Sequence, residues 1–271
     1  MPNASHPIQI RIPLFHEESD WLVEVTQEAR REWARVRRLG GPVEKAQALS
    51  RLSGCISDLK GPVAALRLTR RAHKLWEAVG DPSQIAMSRA VLAVRLLEAG
   101  HPHDALRESA AAVLALRQLD PLQRHKHLPQ YLGKNFLAAG HAAEAQAWLE
   151  MALENPADGE RANILAKLSR TLDLQGKLPE ARDRQSEACE AFHLQEEPFS
   201  LAKGMLSLAR LDLRLGRRWQ AGALCQEAIW ILDRRGFEGD VAGARELQRL
   251  CRGGARPPAS MVGERIPPRD E

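Results

Sequence analysis

Aromatic residues are scarce in this chain, 4% of 271 positions with a single tyrosine. That scarcity argues against a β-sandwich or barrel, which draws on Tyr, Phe, Val, Ile and Thr. Cysteine is equally thin. Cys55, Cys189, Cys225 and Cys251 include no CxxC pair, which removes zinc-ribbon and thioredoxin-type chemistry and leaves four small buried hydrophobes in a reducing compartment. No run approaches the roughly 18 apolar residues needed to cross a bilayer, and the first residues show no basic-then-apolar leader. A soluble, cytoplasmic protein with no membrane contact is the expectation. Catalytic signatures are missing too: there is no Gly-rich loop ending in Gly-Lys-Ser/Thr, no GxGxxG, no GxSxG and no HExxH. His101 and His103, like His125 and His127, stand two residues apart and would point to different sides of a helix, so neither pair can share a metal. The expectation is no enzyme, no cofactor and no metal.

What is present is helix-forming. Apolar residues make up 44% and charged residues 27%, dominated by Ala, Leu, Arg and Glu, which points to an all-α chain with a true core. Lys plus Arg number 39 against 35 Asp plus Glu, a net charge of +4 that is compatible with acidic partners without demanding them.

The sequence repeats itself. Gly61, Gly100, Gly140, Gly176 and Gly216 are spaced by 39, 40, 36 and 40 residues. Five residues after the last four stand Ala105, Ala145, Ala181 and Ala221; twelve after them stand Ala112, Ala152, Ala188 and Ala228. Seven before the five glycines stand Gly54, Ala93, Gly133, Ser169 and Ala209, the last four each preceded by a leucine, Leu92, Leu132, Leu168 and Leu208. A glycine that ends a helix in a tight turn, flanked by small residues that let two antiparallel helices approach, accounts for the pattern. This combination closely resembles the tetratricopeptide repeat (TPR), over roughly residues 43 to 235, although the first copy carries Leu66 and His73 where the alanines belong and the periods exceed the usual 34.

The resemblance implies a right-handed superhelical solenoid of about five TPR-like helix pairs, with an N-terminal cap helix and a C-terminal cap helix. Caps and periodicity divide the chain into a flexible N-terminus (1–16), an N-terminal capping helix (17–42) with Trp21, Val25, Ala29, Trp33 and Val36 along one face, the repeat array (43–235), a C-terminal capping helix (236–252) and a disordered tail (253–271). The helix pairs are expected at about 43–60 with 62–79, 83–99 with 102–118, 122–139 with 141–154, 158–175 with 178–194, and 197–215 with 217–235. Trp76, Trp148, Trp219 and Trp230 fall in second helices and read as packing residues, as do Met87, Met151 and Met205.

In the tetratricopeptide family the first helix of each pair lines the concave groove. Carried over position by position, that register exposes His127, Gln130, Tyr131 and Lys134 from the third pair, Asn163, Ala166, Lys167 and Arg170 from the fourth, and Lys203, Leu206, Ser207 and Arg210 from the fifth. These twelve positions hold five cations and no acid, whereas the second pair offers Met87, Ala90, Val91 and Val94. The resemblance therefore implies a non-enzymatic scaffold or adaptor for protein–protein interaction. Its groove would bind an acidic or carboxylate-bearing peptide segment of a partner through Tyr131, Lys134, Asn163, Lys167, Arg170, Lys203 and Arg210, with an apolar anchor near Met87 and Val91. A regulatory peptide sensor is a variant of this reading. The alternative is a nucleic-acid-associated protein using the same basic face with Arg217, Arg218, Arg234, Arg235 and the tail arginines on phosphates. Only Tyr131 would supply the base stacking that single strands call for.

Overall fold

The computed structural model describes residues 19–38, 40–120, 124–234 and 236–252, and all of its regular structure is α-helical. The N-terminal segment 1–16 and the tail 253–271 lie outside the described residues. The chain divides after Val79 into two compact units.

The first unit holds α1 (Ser19–Arg38), α2 (Pro42–Lys60) and α3 (Pro62–Val79). Val25 and Ala29 of α1 pack on Leu52 and Cys55 of α2, with Leu68 of α3 against the same cluster. Glu32 is buried in this unit and meets Arg35 at 2.8 Å and Arg51 at 3.1 Å. Trp33, expected on the packed face of α1, is 44% exposed. It sits one position from the buried Glu32, so α1 aims its ion pair rather than its indole inward. The side chain of Trp21 lies outside the described residues.

The second unit holds α4 (Pro82–Glu98), α5 (Pro102–Arg117), α6 (Leu128–Ala138), α7 (Ala142–Glu154), α8 (Arg161–Leu174), α9 (Leu178–Leu194), α10 (Pro198–Arg214), α11 (Arg218–Arg234) and α12 (Glu238–Arg252). Neighbours pack as antiparallel pairs, α4 with α5, α6 with α7, α8 with α9 and α10 with α11, and α12 lies on α11 and α10. Starts and stops follow from local chemistry. Asp81 accepts a hydrogen bond from the backbone N–H of Gln84 at 3.0 Å, and Pro82 occupies the first turn, where its missing N–H costs nothing. At the other end, the five repeat glycines have φ between +77° and +85°, a region closed to most L-residues.

The repeated offsets are packing positions. All four alanines five residues past a glycine are buried, as are the four at twelve, the four leucines, and Ala93, Ser169 and Ala209. Gly133 shows why the position is small: a Cβ built there would lie 2.6 Å from Cγ of Leu149 on α7. A glycine inside a helix costs about 1 kcal/mol relative to alanine, and the close approach that buries Leu132 and Leu149 completely offsets it, at about 1.5–3 kcal/mol per leucine. In the first copy, Leu66 and His73 are buried as well, so that pair is spaced by larger side chains.

Two boundaries differ from the expectation. The first helix of the third pair starts at Leu128 rather than 122, because Pro129 fixes the first turn and the N–H of Leu128 is taken by the carbonyl of His125 at 2.9 Å. The first helix of the fourth pair starts at Arg161 rather than 158, behind a turn through Gly159 at φ +76°. The tryptophans also divide. Trp76 is buried and Trp148 packs on the α4–α6 core, whereas Trp219 and Trp230 are 45% and 57% exposed. The indole of Trp230 is instead covered by the Arg234 guanidinium, 4.5 Å from its centroid; nothing in the structure accounts for the exposure of Trp219. No described helix is long and apolar enough to cross a membrane.

Candidate functional site

Helix periodicity decides which side chains α8 and α10 present to each other. α8 buries Ile164, Leu165, Leu168 and Leu172, which leaves Asn163, Ala166, Arg170 and Asp173 as a stripe at intervals of three and four. α10 buries Ala202, Leu208, Ala209 and Leu211, and its stripe is Phe199, Lys203, Ser207, Arg210 and Arg214. The two stripes face one another across a cleft of about 370 Å³. Its inner wall comes from α9, through Gln185 and Phe192, and from Gly204 of α10. Gly204 is glycine for a reason of space, since a Cβ there would come within 3.1 Å of Cys189 Sγ. The Gln185 side chain donates from Nε2 to the Gly204 carbonyl at 3.2 Å, which ties α9 to α10 directly beneath the cleft.

Among the described residues, Arg170 and Arg210 have no carboxylate within ion-pair distance, and both are exposed. Lys203 lies 4.8 Å over the Phe199 ring, a cation–π contact that orients the ammonium without neutralising it. Arg214 is the exception, paired with Asp173 across the cleft. The site thus combines three uncompensated cations with an apolar wall of Phe192, Phe199 and Leu211. The lining does not include the five other expected residues: Lys167, Tyr131, Lys134, Met87 and Val91.

Those five sit in a different electrostatic setting. Lys134 on α6 reaches back to Glu98 at the end of α4, Nζ to Oε1 3.2 Å, and Glu98 also receives Arg95 at 2.6 Å. Partial burial pushes the Glu98 carboxyl up, but the Arg95 and Lys134 contacts outweigh it and hold it below the usual carboxylate value. Glu160, just before α8, accepts from Gln130 Nε2 at 2.6 Å and from Asn163 Nδ2 at 3.4 Å. Lys167 donates to the Asn163 carbonyl at 3.2 Å; burial lowers its pKa, Glu160 opposes that shift and Lys134 adds to it. Tyr131 is half-buried against the α4–α6 core, against which Met87 also packs, and burial raises its phenol above the ordinary value. Val91 stands one turn along α4 from Met87. The expectation of a basic stretch free of acid is therefore corrected: Glu98 and Glu160 lie outside the twelve counted positions, yet their side chains reach into the stretch.

Of the wider groove positions, Leu206, Ala90 and Val94 are buried and present nothing to a ligand. His127 occupies the cap of α6 without capping it through its side chain. Phe199, Phe192, Gln185 and Arg214 were not read from the sequence as site residues. The signal for two of them was available: Phe199 and Arg214 extend the Lys203–Arg210 stripe by one turn at either end. No group of three or more His, Cys, Asp or Glu residues suited to a metal occurs among the described residues. Arg217 comes within 3.8 Å of the buried Asp212, and Arg234 is engaged with Trp230. Arg235 lies outside the described residues.

No protein-family model and no curated protein matches the sequence. Solved structures do match. A kinesin-light-chain-type protein of Podosopora anserina with nearly identical TPR-like repeats is 18% identical, covering 72% of this chain and 98% of its own, with a TM-score of 0.56. A Rap protein in complex with competence and sporulation factor is 14% identical over 86% of this chain and 71% of its own, TM-score 0.59. Aspartyl phosphate phosphatase F of Bacillus subtilis is 14% identical over 88% and 62%, TM-score 0.60. At such identities the likeness is one of fold, and the fold of this chain is that of the TPR-type helical-repeat proteins.

Proposed function

We propose that this chain is a protein-interaction scaffold that performs no chemistry of its own, and that the α8–α10 cleft binds an acidic or carboxylate-bearing peptide segment of a partner protein, as a regulatory peptide sensor would. The observation that carries the reading is the trio Arg170, Lys203 and Arg210, exposed around one cleft without carboxylate partners among the described residues. Cations on the walls of a low-dielectric cleft attract anions more strongly than the same cations on an open face, and two of the three are guanidinium forks suited to carboxylates. A Rap protein of the same fold, solved in complex with competence and sporulation factor, supports a reading in which this chain too has a binding partner.

The test is fluorescence anisotropy with a labelled acidic peptide, on the wild type and on an Arg170→Glu, Lys203→Glu, Arg210→Glu variant. Saturable binding that the variant loses supports the reading; equal binding by both overturns it. A single-stranded oligonucleotide run beside the peptide tests the alternative. A phosphate-driven interaction weakens steeply with salt, so tight oligonucleotide binding with a steep salt slope would replace the peptide by nucleic acid.

A further inference from the structure

The end of the second unit holds two thiols that the proposed binding function does not use. Cys225 lies in the middle of α11 and Cys251 in the last turn of α12, 26 positions apart in the chain. Both are buried in one cluster with Ala221, Ala228, Val241, Ala244 and Leu247. Cys251 packs on the face of α11 that carries Cys225: its Cβ lies 3.7 Å from where a Cβ on Gly222, one turn before Cys225, would stand, and it is close enough to raise the Cys225 thiol's pKa. The other two cysteines, Cys55 on α2 and Cys189 on α9, belong to different parts of the core.

Two thiols on helices packed against each other, α11 and α12, are placed for a reversible cross-link. We propose that Cys225 and Cys251 are a redox pair, which a low-molecular-weight disulfide oxidises to an S–S bond that fastens α12 onto α11. Cys251 is the entry point, because it stands one residue from the end of α12, and the last turn of a helix opens more readily than its middle. Its thiolate attacks one sulfur of the oxidant, forming a mixed disulfide and expelling one small thiolate. Cys225 then attacks the Cys251 sulfur, closes the protein disulfide and expels the second. The two protons lost by the cysteines go to the two small thiols, and the two electrons reduce the oxidant's S–S bond. While α12 is docked, burial and the neighbouring Cys251 hold the Cys225 thiol up at about 12, so Cys225 stays protonated and unreactive until α12 opens. Arg210 of the cleft is the nearby charge that opposes this rise, which places the ligand-facing helix α10 beside the lock.

The experiment uses the full chain incubated with a series of oxidised-to-reduced glutathione ratios. The readouts are the denatured thiol titre, peptide mapping and the thermal unfolding midpoint. The expected result is a titre falling from four thiols to two, a mapped Cys225–Cys251 bond, and a midpoint higher by about 5–10 °C in the oxidised form. Cys55→Ser and Cys189→Ser variants should each fall from three thiols to one with the same mapped bond, and Cys251→Ser should stay at three thiols with no protein disulfide. A titre that stays at four, a bond mapped to Cys55 or Cys189, a glutathione adduct that never resolves, or an oxidised form that melts lower would each overturn the proposal. None of these outcomes bears on acidic-peptide binding, which is measured separately in reducing buffer.

Discussion

The α4–α6 surface and the α8–α10 cleft carry cations at the same repeat register, yet they differ in what those cations meet. Lys134 spends its charge on Glu98, whereas Arg170 and Arg210 have no acid within reach among the described residues. The difference arises from one repeat back: Glu98 ends α4 and so extends over α6, while Asp173, at the matching end of α8, is engaged by Arg214 one turn beyond Arg210. Availability of a charge in a repeat array is thus set by the neighbouring helix, and the same lysine or arginine is a site or a strut according to which acid precedes it.

Four measurements break or sharpen that contrast. The largest effect is expected for the Arg170→Glu, Lys203→Glu, Arg210→Glu variant, which should lose acidic-peptide affinity by at least about 100-fold, about 2.7 kcal/mol, with unchanged circular dichroism. Next, Asp173→Asn should free Arg214 as a fourth cation and tighten the same peptide by about threefold to tenfold; weaker binding would mean that the Arg214–Asp173 pair shapes the cleft instead. Third is pH. The folded Glu98 carboxyl is held below its unfolded value, so its contribution to stability is present above the unfolded pKa and is lost as pH falls through the folded one. Urea unfolding should accordingly show Glu98→Gln closing on the wild type below about pH 4, with a difference at pH 7 under about 1 kcal/mol because the pair is partly exposed. Smallest is Lys134→Glu, which should change peptide affinity by less than about twofold, since that charge is already compensated; a loss comparable to the triple variant would merge the two regions into one site.

The sequence pattern was most legible where physics repeats. Fixed offsets of Gly, Ala and Leu mark the close approaches of paired helices, and the burial of Ala105, Ala145, Ala181 and Ala221 follows from them. The pattern loses force at the third pair, where Pro129 dictates a later start than apolar spacing suggests. That Arg170, Lys203 and Arg210 share one cleft was legible because helix periodicity fixes which residues share a face. Their acids were not, because Glu98 and Glu160 sit 36 and 30 residues from Lys134 and Gln130, and only packing brings them together. The apolar wall was missed for a similar reason: Phe192 belongs to a second helix, which a register built on first helices never samples. Trp33 and Trp230 misled because a large aromatic on a helix is equally at home under an arginine or in water.

One turn in the second unit has a bearing on how such arrays could be recombined. The connections into α4, α8 and α12 pass through Gly80, Gly159 and Gly236 at positive φ, but the connection into α10 passes through Glu196 at φ +56°, the one non-glycine in that region among the described residues. An L-residue there holds about 1 kcal/mol of unfavourable torsion. The seam ahead of α10 is therefore the least optimised joint among these cassettes. In a chimera that lengthens or shortens the array, it is the place where stability is available from a single exposed position without disturbing any buried atom.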